Sequence, residues 1–185
     1  FAFSAKKVFI EEFSTQSLIA LSFYPELKDV AIHFKYAPEA TTMACRPQFF
    51  SLFSHKRSYN ILINNKKSSQ GILLADVPLN LQIGVIGHEI AHIIDYESKN
   101  SFRIAKTALG YLNKKRRSDY EKTIDKITIQ RGLGWQLYDW AQYSMFDAPT
   151  ATERYKKFKQ NTYLQPQQIL VMMRMDSCYK HFFHP

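Results

Sequence analysis

One apolar stretch constrains this chain more than any other: Asn80-Leu-Gln-Ile-Gly-Val-Ile-Gly-His-Glu-Ile-Ala-His-Ile-Ile-Asp95. It is long enough and apolar enough to predict a buried helix, and it carries polar groups that a buried helix must satisfy. A helix turns about every 3.6 residues, so His88 and His92 project from one face, one turn apart. Two imidazoles at that spacing can hold one Zn²⁺ ion, and Glu89 lies one residue round, within reach of a water at the metal. Six His and eight Glu in the chain produce an HExxH by chance in roughly one such chain in a hundred. Gly84 and Gly87 weaken a helix by up to ~1 kcal/mol each relative to Ala, which predicts another element packing closely against them. The competing reading is a surface helix with a solvated His pair, and the apolar surroundings weigh against it.

Length and composition fit one globular domain spanning 1–185, with 185 residues and 45% hydrophobic content. No run approaches the ~20 apolar residues of a membrane span. The first residues show no signal-peptide pattern, and with no initiator Met a removed leader or anchor is compatible with the sequence. The net charge of +9 is compatible with a nucleic-acid or acidic partner, but the densest cluster, Lys114-Lys115-Arg116-Arg117, is followed by Asp119 and Glu121 and has no interleaved stacking residues. A solvated surface is the expectation, with no nucleic-acid partner. Cys45 and Cys178 are compatible with one disulfide or two thiols.

Residues 5 to 21 read as a helix capped by Ser4. Residues 29 to 36 and 57 to 64 alternate as strands, and 71 to 75 suggest a short third strand. Between the first two, 37 to 56 read as a long loop. After His92 the pattern turns helical: 99 to 113, 118 to 131 ended by Gly132, 133 to 144, a helix opened by a capping box at Thr150–Glu153, and one from Pro166 through Met175. The expected class is α+β: a small N-terminal sheet, the HExxH helix, then a mainly helical half.

A catalytic zinc has three protein ligands and one open position. Glu121 is the best third ligand. Asp125 shares its helix face at i,i+4 and is placed to hold a ligand imidazole by a hydrogen bond. Asp95, Glu97, Asp119 and His181 are rivals. An ordinary alternative also exists, because Ser118-Asp-Tyr-Glu121 reads as a capping box that would tie Glu121 to the backbone.

With HExxH at His88–His92 and Glu121-Lys-Thr-Ile-Asp125 downstream, the chain resembles zinc-dependent metallopeptidases of the gluzincin group over about Arg57 to Gly134. The longer HExxHxxGxxH pattern of metzincins is absent. The resemblance implies a zincin-like fold with Zn²⁺ on His88, His92 and Glu121, Asp125 behind them, and Glu89 as general base in peptide hydrolysis. It also implies an edge strand that pairs with extended substrate, for which Tyr59 to Asn64 is the expected segment. Tyr111, Tyr120 and His181 are candidates for steadying the oxyanion. The alternatives are a zinc-bearing regulatory or recognition protein on the same scaffold, and a nucleic-acid binder whose HExxH is accidental.

Overall fold

The computed structural model describes residues 5–54, 56–66 and 71–183. It is a mixed α+β arrangement in which a four-stranded sheet and a set of helices enclose one long helix. The strands are β1 (Lys7–Val8), β2 (Ala31–Ala37), β3 (Met43–Pro47) and β4 (Ser58–Asn64), in the spatial order β1-β2-β4-β3. β1 and β4 run parallel to β2, and β3 runs antiparallel to β4. The helices are α1 (Ser14–Ser22), α2 (Leu79–Glu97), α3 (Ser101–Gly110), α4 (Lys114–Thr128), α5 (Gly134–Gln142), α6 (Glu153–Thr162), α7 (Pro166–Met175) and α8 (Lys180–Phe183). No helix among the described residues is long and apolar enough to cross a membrane.

β4 is an interior strand, not the substrate-pairing edge that the resemblance implied. Tyr59, Ile61 and Ile63 on its apolar face are fully buried. The opposite asparagines are occupied by neighbouring loops: Asn60 Oδ1 accepts from Gln48 Nε2 at 3.1 Å, and Asn64 Oδ1 accepts from the Glu39 and Lys66 amides at 3.1 and 3.0 Å. The edge is β3, inside the segment expected to be a loop. Its five residues alternate only weakly, and Pro47 closes it. Two further expectations are corrected. Residues 5 to 21 are not one helix: Lys7–Val8 pairs with β2, and the helix begins only at Ser14. The Lys7 ammonium holds this start in place by donating to the Leu27, Lys28 and Val30 carbonyls. Ser4, the expected cap, lies outside the described residues. Residues 72 and 73 are not strand, and Leu74–Asp76 forms a single 3₁₀ turn leading into α2.

α2 is packed on several sides, by α1, α4, α5 and β3. The two glycines make this possible. A Cβ on Gly84 would collide with the backbone carbonyl of Gln136 on α5, and one on Gly87 with the Leu133 side chain. Tyr24, fully buried, donates its hydroxyl to the Gly87 carbonyl at 2.7 Å. Gln82 donates to the Leu74 and Val77 carbonyls and accepts from Gln16 of α1 at 2.5 Å, which fixes the first turns of the helix. The motif residues therefore sit on a rod clamped over much of its length.

The C-terminal helices follow the sequence closely. α7 spans Pro166–Met175, with Gln168 accepting from the Gln165 amide at 2.9 Å. α6 is capped by Thr152 rather than Thr150: Thr152 Oγ1 accepts from the Tyr155 amide. Short π-helical segments, Ile129–Leu133 and Tyr143–Asp147, follow α4 and α5 where simple helix ends were expected. Both cysteines are free thiols, Cys45 buried and Cys178 exposed.

Candidate metal centre

α4 crosses α2 so that its inner face meets the two motif histidines. Asn113 caps α4 by accepting from the Arg116 amide at 3.0 Å. The helix thus starts one turn before Ser118, and the capping-box alternative for Glu121 does not form. Ser118 instead donates to the Asn161 and Thr162 carbonyls. Glu121 is left with its carboxylate turned inward and is 4% exposed.

The candidate ligand atoms of His88, His92 and Glu121 lie within 4.8 Å of one another. Glu121 Oε2 is 3.1 Å from His88 Nε2 and 3.5 Å from His92 Nε2. Tetrahedral zinc with bonds of ~2.1 Å separates its ligand atoms by ~3.4 Å, close to both of these Glu121 spacings. The donor set, two imidazoles and one carboxylate, is also the one zinc takes when a position is left open. Behind it, His88 Nδ1 bonds Asp125 Oδ1 at 2.8 Å. The other Asp125 oxygen accepts from the Leu164 amide at 2.8 Å, so the carboxylate is anchored from both sides. Tyr111 donates to Glu121 Oε1 at 2.6 Å, leaving Oε2 toward the histidines.

The rival ligands are all engaged elsewhere or distant from the pair. Asp95 Oδ2 accepts from Tyr120 and from Lys99, each at 2.6 Å. Glu97 accepts from Tyr59 at 2.5 Å. Asp119 is exposed and pairs with Lys115. His181 is exposed on α8, beside α7. Of the oxyanion candidates, Tyr111 and Tyr120 lie at the site, though their hydroxyls already donate to Glu121 and Asp95.

Burial pushes the Glu89 carboxyl upward, against the pull of the two histidines. For Glu121 the balance reverses: burial opposes its charge, but the charges and hydrogen bonds of His92 and His88 hold its carboxyl well below the usual range. Burial alone would lower His88. The hydrogen bonds and charges of Asp125 and Glu121 overcome it and raise the imidazole to about 10. Without metal, His88 is therefore an imidazolium donating both N–H groups to carboxylates. A metal must displace the Nε2 proton. Zinc affinity should thus rise about tenfold per pH unit between pH 6 and 8, with release of about one proton per ion. Calorimetric zinc titrations in buffers of different ionisation enthalpy measure both. A pH-independent affinity would show that His88 carries no competing proton.

Three contributors were not visible in the sequence. Tyr163 packs its ring against His88, with centroids 5.5 Å apart at 67°. Tyr96 stacks on His92 at 6.1 Å and 23°. Lys159, in the charged run Glu153–Gln160, is buried beside the site. Only the i,i+4 spacing of Tyr96 from His92 offered any signal; the other two depend on how α6 folds back onto α4. The chain matches no protein-family model, no curated protein and no solved structure.

Proposed function

We propose that this chain is a zinc-dependent metallopeptidase with a zincin-like fold. The observation that carries this reading is the convergence of His88, His92 and Glu121 from two helices, at spacings that suit one zinc ion. When bound, zinc supplies a Lewis acid that acidifies a water and polarises a carbonyl. His88, His92 and Glu121 would hold it, and Asp125 would fix the ring of His88.

Glu89 then has a defined task. It lines the same cavity as His88, and burial raises its proton affinity toward the working range of a general base. It takes the proton of the attacking water and delivers it to the leaving amine. A binding or regulatory protein would need the ligands but not this buried carboxylate beside them, which favours hydrolysis. Tyr163 is the hydroxyl free to steady the oxyanion: it donates to no described residue, whereas Tyr111 and Tyr120 are committed. The unpaired side of β3 offers an extended peptide backbone hydrogen bonds alongside α2.

The purified protein should contain about one zinc per chain and cleave peptides from a proteome-derived mixture. A chelator should abolish cleavage and zinc should restore it. Metal-free protein that cleaves equally well, or zinc-loaded protein that cleaves nothing in such a mixture, would overturn the reading.

A further inference from the structure

We propose that the cavity between Glu89 and Lys159 is a carboxylate-binding subsite, which takes an acidic side chain or a free chain terminus on the leaving-group side of the scissile bond. The proposal rests on the peptidase reading. Lys159 projects from α6 and is 5% exposed. Its ammonium lies 3.8 Å from the centre of the Tyr163 ring and 5.4 Å from that of Trp140. No carboxylate among the described residues lies within ion-pair distance of it, although its neighbour Lys156 pairs with Glu153. A buried ammonium without a counter-ion is costly, and aromatic faces offset only part of that cost.

The place where the charge sits gives it meaning. Lys159, Glu89, His88 and Asp125 line one cavity, with Thr42 and Met145 on its other walls; both Asp125 oxygens are already engaged, by His88 and the Leu164 amide. The cavity volume is only about 20 Å³, so it takes a carboxylate head group at most, with the rest of the ligand outside it. Glu89 hands its proton to the leaving amine, so its flank of the site is the side on which the released fragment lies. A carboxylate there would neutralise Lys159. An acidic side chain and a chain terminus present the same group.

The structural alternative is that Lys159 serves only to balance Glu89, whose carboxyl it pulls downward. The two differ in what substitution does. The zinc-loaded protein and its Lys159→Met, Lys159→Glu and Lys159→Arg variants would be given the proteome-derived peptide mixture, with free and amidated C-termini, and cleavage sites read by mass spectrometry. Wild type should favour Asp or Glu after the cleaved bond, or cleavage next to a free terminus, by at least about tenfold over neutral equivalents. Amidation removes the preference only if the terminus is its source. Read as the ratio of acidic to neutral sites cleaved, the preference should be lost in Lys159→Met, inverted in Lys159→Glu and retained in Lys159→Arg. Equal loss at all sites in Lys159→Met, with a shifted pH profile, would overturn the proposal in favour of Glu89 balancing. No acidic or terminal preference in wild type would also overturn it.

Succinate binding to the zinc-loaded protein separates this claim from the peptidase reading. Binding at least about tenfold weaker in Lys159→Met supports the subsite even if no peptide is cleaved, and equal binding in both proteins sinks it.

Discussion

Replacing Glu89 by Gln will leave zinc bound and lower kcat/KM for peptide cleavage by about 10²–10⁴-fold, the range a positioned general base supplies. Gln has the same shape as Glu, so the buried position can be filled without a cavity. It cannot accept a proton from water, and that is the function under test. The ligand spacings involve only His88, His92 and Glu121, so zinc content should stay at the wild-type level. The acid limb of the pH–rate profile should disappear with the carboxylate, because burial places that limb above the ordinary glutamate range. Two measurements, metal analysis and peptide turnover, separate the outcomes. If zinc falls with activity, Glu89 is helping to hold the metal. If turnover is unchanged, the proton leaves by another group and the proposed mechanism fails.

How much of this site could be read before the fold was known depends on how local each signal was. His88, Glu89 and His92 lie within five consecutive residues, so helix geometry alone fixes their relation. Glu121 and Asp125 needed one further assumption, that their helix faces the motif. The capping pattern at Ser118 competes with that assumption in the sequence, but it is Asn113 that caps α4. Gly84 and Gly87 announced a close neighbour, but not that it would be the Gln136 carbonyl and the Leu133 side chain.

The failures share a cause. β3 is short, its residues Met43 to Arg46 alternate weakly, and only pairing with β4 makes it a strand. Lys7–Val8 is too short to carry a strand signal and exists through its pairing with β2. Tyr163 and Lys159 lie well beyond the motif in sequence, and their place follows from how α6 returns to α4, a contact that Ser118 and Asp125 help to hold. Non-local pairing leaves little trace in a local pattern.

Glu121→Ala tests the third ligand with a large expected effect. Removing the hydrogen-bond partner of a zinc ligand typically costs 10–100-fold in affinity, so losing a ligand should cost on the order of 10³-fold or more. One effect works in the opposite direction. Glu121 also helps keep His88 protonated in the metal-free protein, so its removal frees Nε2 more readily and recovers part of the loss. That recovery reduces only the proton competition and does not replace a coordinating oxygen. The net result should still be protein that emerges from dialysis nearly zinc-free. Its residual zinc affinity should depend less steeply on pH than the wild-type affinity does.

A purely structural role for Glu121 predicts something else. Tyr111 donates to Glu121 Oε1, so Glu121→Ala also leaves that hydroxyl without its partner. If Glu121 mattered only as that partner, Tyr111→Phe should reproduce the zinc loss. If Glu121 is a ligand, Tyr111→Phe should keep most of its zinc, with at most the 10–100-fold weakening expected of a supporting group. Folded Glu121→Ala protein with full zinc occupancy would remove Glu121 from the ligand set, and the third donor would then have to come from outside the described neighbours, since Asp95 and Glu97 are held by Tyr120, Lys99 and Tyr59.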